Sequence, residues 1–124
     1  MSISLDIQYQ TIRKIVISTG VTTTIAGAAG SGGTTDGTGT SARFYYPTGI
    51  TTDGTNLYVA DRNNHRIRKI VISSGVVTTL AGGSSGNTDA TGTSAQFAQP
   101  HGITTDGTSL YVTDRLNDTV RKID

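Results

Sequence analysis

The sequence has no cysteine, no tryptophan, one methionine and two prolines in 124 residues. Without cysteine there is no disulfide scaffold, no thiol chemistry and no Cys-ligated zinc, and the redox compartment stays open. Aromatic residues are scarce, at 6%. Leu, Ile, Val and Phe number 27, just above the share at which chains stop building a core. Neither charge dominates, with 10 Lys and Arg against 9 acidic residues. A disordered chain would need a stronger imbalance, so a fold with a small core is expected. Near-neutrality also gives no global pull toward nucleic acid or anionic lipid. No apolar run reaches the roughly 18 residues of a membrane-spanning helix. The first residues lack the basic-then-apolar pattern of an export signal, which leaves localisation open.

What the sequence does contain is a repeat. Residues 42–70 and 95–123 align without a gap at an offset of 53, with 19 of 29 positions identical. Residues 12–27 and 67–82 align at an offset of 55, with 13 of 16 identical. The unit is 53–55 residues long and the chain holds roughly 2.3 of them. The two extra residues fall in the Gly-rich stretch after Gly27, which marks it as a loop. On this division, residues 1–41 are a half unit, 42–94 a full unit and 95–124 a partial unit.

Each unit carries four short Thr-, Val-, Ile- and Tyr-rich segments separated by turn residues, which is strand composition. In the full unit strand A is Gly49–Thr52, strand B Leu57–Ala60, strand C His65–Ile72 and strand D Val76–Ala81. Asp53-Gly54 and Asp106-Gly107 are hairpin signals and imply antiparallel pairing. The half unit is read as strands C and D, the partial unit as A, B and C. Residues 3–9 alternate enough to stand in for a further strand B. Strand D is apolar or neutral on both faces, as in a small sheet between two similar sheets. Ile67 and Ile70 fall on opposite faces of a regular strand C. Burial on both faces explains that parity, and a β-bulge in strand C is the rival account. An all-β fold of four-stranded antiparallel propeller blades follows.

The residues Phe44, Pro47, Gly49-Ile50, Asp53-Gly54, Leu57-Tyr58-Val59-Ala60-Asp61 and Asn64-His65-Arg66-Ile67 closely resemble the NHL repeat of β-propellers. The second copy matches through Phe97, Pro100, Gly102-Ile103, Leu110-Tyr111-Val112, Asp114 and Asn117, and departs at Asp118-Thr119. The resemblance implies a ring of about six blades. It also implies a parent family often found outside bacterial cells or in their envelope. Known members bind proteins or RNA, sense extracellular ligands, or act as lyases through a channel metal. Two blades per chain would close such a ring from three copies, with a dimer as the alternative. One strand C would then be duplicated at each join.

Several side chains are candidates for chemistry. Asp61 and Asp114 end strand B in each unit, where a turn carboxylate caps backbone N–H groups. The rival is a ring of carboxylates for metal or acid–base work. His65 lies in the repeat signature, where the resemblance implies a structural role. His101 replaces Thr48 just before strand A, and three copies in a trimer could ring the channel and hold a metal. That metal site belongs to the enzyme alternative, a metal-dependent lyase or hydrolase. No nucleophile–base pair is readable, so no catalytic residue and no cofactor is assigned. Arg62, Arg66, Arg68 and Lys69 form a basic cluster that reads as a solvated strand edge. Without interleaved aromatics it is no nucleic-acid surface. The Gly-rich loops 27–39 and 82–92 have no following helix or lysine, so they read as flexible connectors and not phosphate cradles. Positions that differ between units are where specificity could sit. They give a candidate ligand set of Tyr46, Thr48, Arg62, Asn63, His65, Gln99, His101 and Arg115. The expected function is a non-catalytic scaffold for a protein or carbohydrate ligand.

Overall fold

The computed structural model describes residues 2–7 and 9–124. Its strands are β1 (Ser2–Asp6), β2 (Thr11–Ile15), β3 (Thr22–Gly27), β4 (Gly37–Thr38), β5 (Pro47–Thr52), β6 (Asn56–Asp61), β7 (Arg66–Val71), β8 (Val76–Gly82), β9 (Pro100–Thr105), β10 (Leu110–Asp114) and β11 (Thr119–Ile123). They form three antiparallel sheets that follow the repeat. Blade 1 is β1-β2-β3, blade 2 is β5-β6-β7-β8 with β4 added outside β8, and blade 3 is β9-β10-β11. Among the described residues the only helical turns are short 3-10 turns.

Blade 2 matches the four expected strands closely. Blade 1 has one strand more than its half-unit reading, because Ser2–Asp6 pairs with β2 as β6 pairs with β7. That strand overlaps the 3–9 segment, of which Gln8 lies outside the described residues. Blade 3 carries A, B and C.

The parity of strand C is settled by burial on both sides of blade 2. Leu57, Val59, Ile70 and Val77 face blade 1, where they join Ile12, Ala26 and Phe44. Ala60, Ile67 and Ala81 face blade 3, where they join Phe97, Leu110 and Val112. The rival account, a bulge in strand C, does not hold, and the bulge that exists is in strand D. β6 and β7 pair without a break, whereas the β7–β8 register shifts between Ile67 and Arg68 and leaves Leu80 as the extra residue. Ile25 is the extra residue at the same place in β3.

Strands β5 and β9 lie side by side on the inner edges of blades 2 and 3. Their backbones come close enough that Gly49 is required. A Cβ there would stand 2.6 Å from the His101 carbonyl oxygen. Thr48 ties the two strands by donating its hydroxyl to the same oxygen at 2.9 Å. At the outer edge Gly82 has φ +85°, and a Cβ would meet the His65 carbonyl oxygen at 2.5 Å. Only glycine tolerates both the dihedral and the approach.

Candidate functional site

Blades 2 and 3 each hold a buried polar knot. Asp61 Oδ1 accepts the Tyr45 N–H at 2.8 Å. Its Oδ2 accepts the Asn64 amide at 2.7 Å and Arg68 Nη1 at 2.9 Å. Arg68 also donates to the carbonyls of Arg43 at 2.6 Å and Thr35 at 3.0 Å, and to Asp36 Oδ1 at 2.7 Å. Its guanidinium lies 4.9 Å above the Phe44 ring, a cation–π arrangement. Both side chains of the Asp61–Arg68 pair are fully buried. Burial pushes the Asp61 carboxyl up, while the Tyr45 N–H, the Asn64 amide and Arg68 pull it back.

Blade 3 repeats the knot. Asp114 accepts from the Ala98 N–H at 2.8 Å, Asn117 at 2.8 Å and Arg121 at 2.9 Å. Arg121 reaches Asp89 at 2.6 Å and lies 4.9 Å above Phe97. The carboxylates do not cap their own turns; each accepts one backbone N–H from 16 residues earlier and neutralises a buried arginine. Two further expectations change here. Arg68 is not a solvated edge residue. The connectors are not loose, because loop 33–39 supplies Thr35 and Asp36 to Arg68 and pairs β4 with β8.

The candidate ligand residues divide into two places. The larger lies at the end of the blades where strand B turns into strand C. There Asp61 leads into the 3-10 turn Arg62–Asn64, which ends at His65 with φ 54°. His65 Nδ1 accepts the Gln99 N–H at 3.0 Å, which links blade 2 to blade 3. Gln10 does the same for the Tyr46 N–H one blade earlier. Tyr46 and Gln99 are themselves at φ 55° and 54°, so this left-handed geometry belongs to the repeat. The Gln99 side-chain oxygen receives Arg62 Nε at 3.4 Å and Arg115 Nη1 at 2.7 Å, from adjacent blades. Tyr45 and Tyr46 stand beside them as an exposed pair with ring centroids 5.4 Å apart. Their carbonyls accept the N–H groups of Asn63 and Arg62. Asn63 Oδ1 is buried without a partner.

Thr48 and His101 make up the second place, on the inner strands. Each occupies the extra position of a bulge, where β5 and β9 shift register against β6 and β10. His101 is exposed. Among the described residues no three of His, Cys, Asp and Glu gather as a metal-binding group. At the opposite end of the blades, Asp53 is held down to about 2 by the N–H groups of Asn56 and Thr55 and the Tyr58 hydroxyl. Its counterpart Asp106 is lowered in the same way by Ser109 and Thr108.

Sequence reasoning missed Gln10 and the bonding of Arg68 to Asp36, and it held Tyr45 only as a position that varies between units. The recurrence of Phe44 with Arg68 as Phe97 with Arg121 was the available signal.

The NHL repeat model matches residues 44–70. Human NHL repeat-containing protein 2 is 38% identical over 98 residues, which covers 74% of this chain and 14% of that protein. A Bacteroides thetaiotaomicron protein of unknown function superposes with a TM-score of 0.89 at 28% identity, covering 97% of this chain and 31% of that one. An auxiliary nutrient binding protein from the same species gives 0.82 at 27% identity, covering 98% and 34%. The chain thus spans about a seventh of the curated relative and about a third of each solved structure. Its sequence signature, its four-stranded unit and its neighbours all make it a run of NHL-type β-propeller blades.

Proposed function

We propose that the chain is a non-catalytic propeller scaffold that binds a carbohydrate at the rim between blades 2 and 3. We also propose that it closes into a ring with copies of itself, three copies giving six blades and a dimer being the alternative. The observation that carries the ligand reading is the convergence of Arg62 and Arg115 on the Gln99 oxygen, beside the exposed Tyr45–Tyr46 pair. Guanidinium donors hydrogen-bond sugar hydroxyls, and an exposed ring face stacks on the apolar face of a sugar. The printed description of a structural neighbour as a nutrient binding protein supports a binding role. The Asp61–Arg68 and Asp114–Arg121 pairs do not compete for this role, because both carboxylates are buried and bonded inside the blades.

The test is an NMR titration of the full chain with a panel of neutral and acidic oligosaccharides. Tyr46→Asn removes the ring but suits the left-handed backbone, and Arg115→Ala removes one donor. Expected are shifts centred on Tyr45, Tyr46 and Gln99 that both variants weaken at least tenfold. A panel in which no sugar moves those signals contradicts the reading.

A further inference from the structure

We infer that the rim site selects an acidic saccharide, whose carboxylate takes the place of the Gln99 side-chain oxygen between Arg62 and Arg115. This rests on the carbohydrate reading above and names the class of sugar.

Two guanidinium groups meet there on one neutral acceptor. Gln99 Oε1 receives Arg62 Nε at 3.4 Å and Arg115 Nη1 at 2.7 Å. An amide oxygen has two lone pairs, so this one is fully used, and it carries no formal charge to set against two cations. Like charges drawn to one point repel, and an anion placed between them relieves the repulsion. The arginines inside the blades show what such a partner looks like. Arg68 lies between Asp61 and Asp36, and Arg121 between Asp114 and Asp89. Arg62 belongs to the middle blade, and among the described residues no carboxylate lies within ion-pair distance of it.

The acidic residues of the chain are committed elsewhere. Five of the nine are held by arginines of the strands, and Asp124 by Lys122. Asp53 and Asp106 hold hairpin N–H groups at the opposite end of the blades. That leaves Asp118, which follows the turn that Arg115 opens, and it pairs with neither rim arginine.

A carboxylate suits this place better than a sugar hydroxyl. It is planar and offers one oxygen to each guanidinium, and its charge-assisted bonds are roughly twice as strong as those to a neutral acceptor. The backbone is braced before a ligand arrives. The Gln99 N–H is held by His65 Nδ1 at 3.0 Å, and the Arg62 N–H by the Tyr46 carbonyl at 3.3 Å. Tyr46 is thus bonded directly to the residue that carries one of the cations, and its exposed ring offers a face on which a sugar stacks. That ring is what favours a saccharide over an acidic peptide.

The test is an NMR titration of the full chain with oligomers of galacturonate, glucuronate and mannuronate, each beside its methyl ester. The ester keeps the sugar and removes the charge. One of the acids is expected to bind at least about tenfold tighter than its ester, the worth of one charge-assisted hydrogen bond, and the preference should shrink as salt is raised. Arg62→Gln is expected to bring acid and ester to equal affinity. Gln99→Gly suits the left-handed backbone and removes the competing oxygen, so the acid should bind severalfold tighter and the ester no tighter. One variant loses affinity and the other gains it, a pair of results that misfolding does not imitate. Acid and ester binding equally, or Gln99→Gly weakening the acid, overturns the inference and leaves the carbohydrate reading standing. So does a neutral sugar that binds where no uronate does. A peptide of glutamates that moves the same signals as strongly as the acids overturns the choice of a saccharide. If no sugar of either kind binds, both readings fall.

Discussion

Blades 1 and 2 carry the same carboxylate and the same arginine, and the two pairs differ in almost everything else. Asp61 and Arg68 meet at 2.9 Å with no side-chain exposure. Asp6 and Arg13 lie 3.5 Å apart, and their side chains are 30% and 34% exposed. The strands that hold them are paired alike, β1 on β2 and β6 on β7. What blade 2 adds is the segment before strand A. Thr35, Asp36, the Arg43 carbonyl and the Tyr45 N–H all come from it. A buried charge is stable only when most of its hydrogen bonds are filled, and both terminal nitrogens of Arg68 are bonded, with Nε alone left without a partner. The Gly- and Thr-rich connector therefore makes burial of the ion pair possible, and it belongs to the blade as much as its strands do.

This contrast can be broken from its strongest side first. Arg68→Ala leaves Asp61 buried without its countercharge, and about 3–5 kcal/mol of stability should be lost by urea unfolding. The orphaned carboxyl then takes up a proton more readily, so the deficit should shrink at acidic pH. Arg121→Ala removes the same arginine from a blade whose Asp89 is 92% exposed. Its cost should be smaller, about 2–3 kcal/mol by the same measurement. Arg13→Ala breaks only a partly exposed pair, and the loss should stay below about 1 kcal/mol. If Arg13→Ala costs as much as Arg68→Ala, the connector is not what sets the two blades apart.

The smallest effect concerns acid. Asp53 is exposed and its pKa is lowered to about 2 by the Asn56 and Thr55 N–H groups and the Tyr58 hydroxyl. A carboxyl whose folded pKa lies below its free value of about 4 stabilises the fold above that value. That stabilisation is lost as pH falls from about 4 toward about 2. Thermal melts should show a modest decline over this window, and Asp53→Asn should flatten it.

The strand positions were legible because turn chemistry and β-branched runs are local. Asp53-Gly54 and the Val-Ile-Thr segments placed all four strands of blade 2 within a few residues. Asp61 was legible only as a turn carboxylate, since the N–H it accepts belongs to Tyr45, 16 positions earlier. Arg68 was not legible. An Ile-Arg-Lys-Ile strand reads as a charged edge, and the groups that bury Arg68 lie in a connector far off in sequence. That connector looked flexible from its glycines, yet its backbone is fixed by bonds such as Arg43 N–H to the Thr35 oxygen at 2.9 Å. The bulge showed a similar limit. Alternation gives the parity of a strand but not which of two partners holds the extra residue, here Leu80 rather than a residue of β7. Of the candidate ligand residues, Gln99 meets Arg115 within its own unit, but its contact with Arg62 crosses between units and no single unit contains it.

Residue-resolved amide hydrogen exchange tests most directly whether a completed knot is what makes a blade firm. The Tyr45 and Ala98 N–H groups, bound to Asp61 and Asp114, should exchange with β6 and β7 among the slowest in the molecule, and β1 should exchange fastest of the paired strands. Protection of β1 equal to that of β7, or rapid exchange at Tyr45, would contradict it.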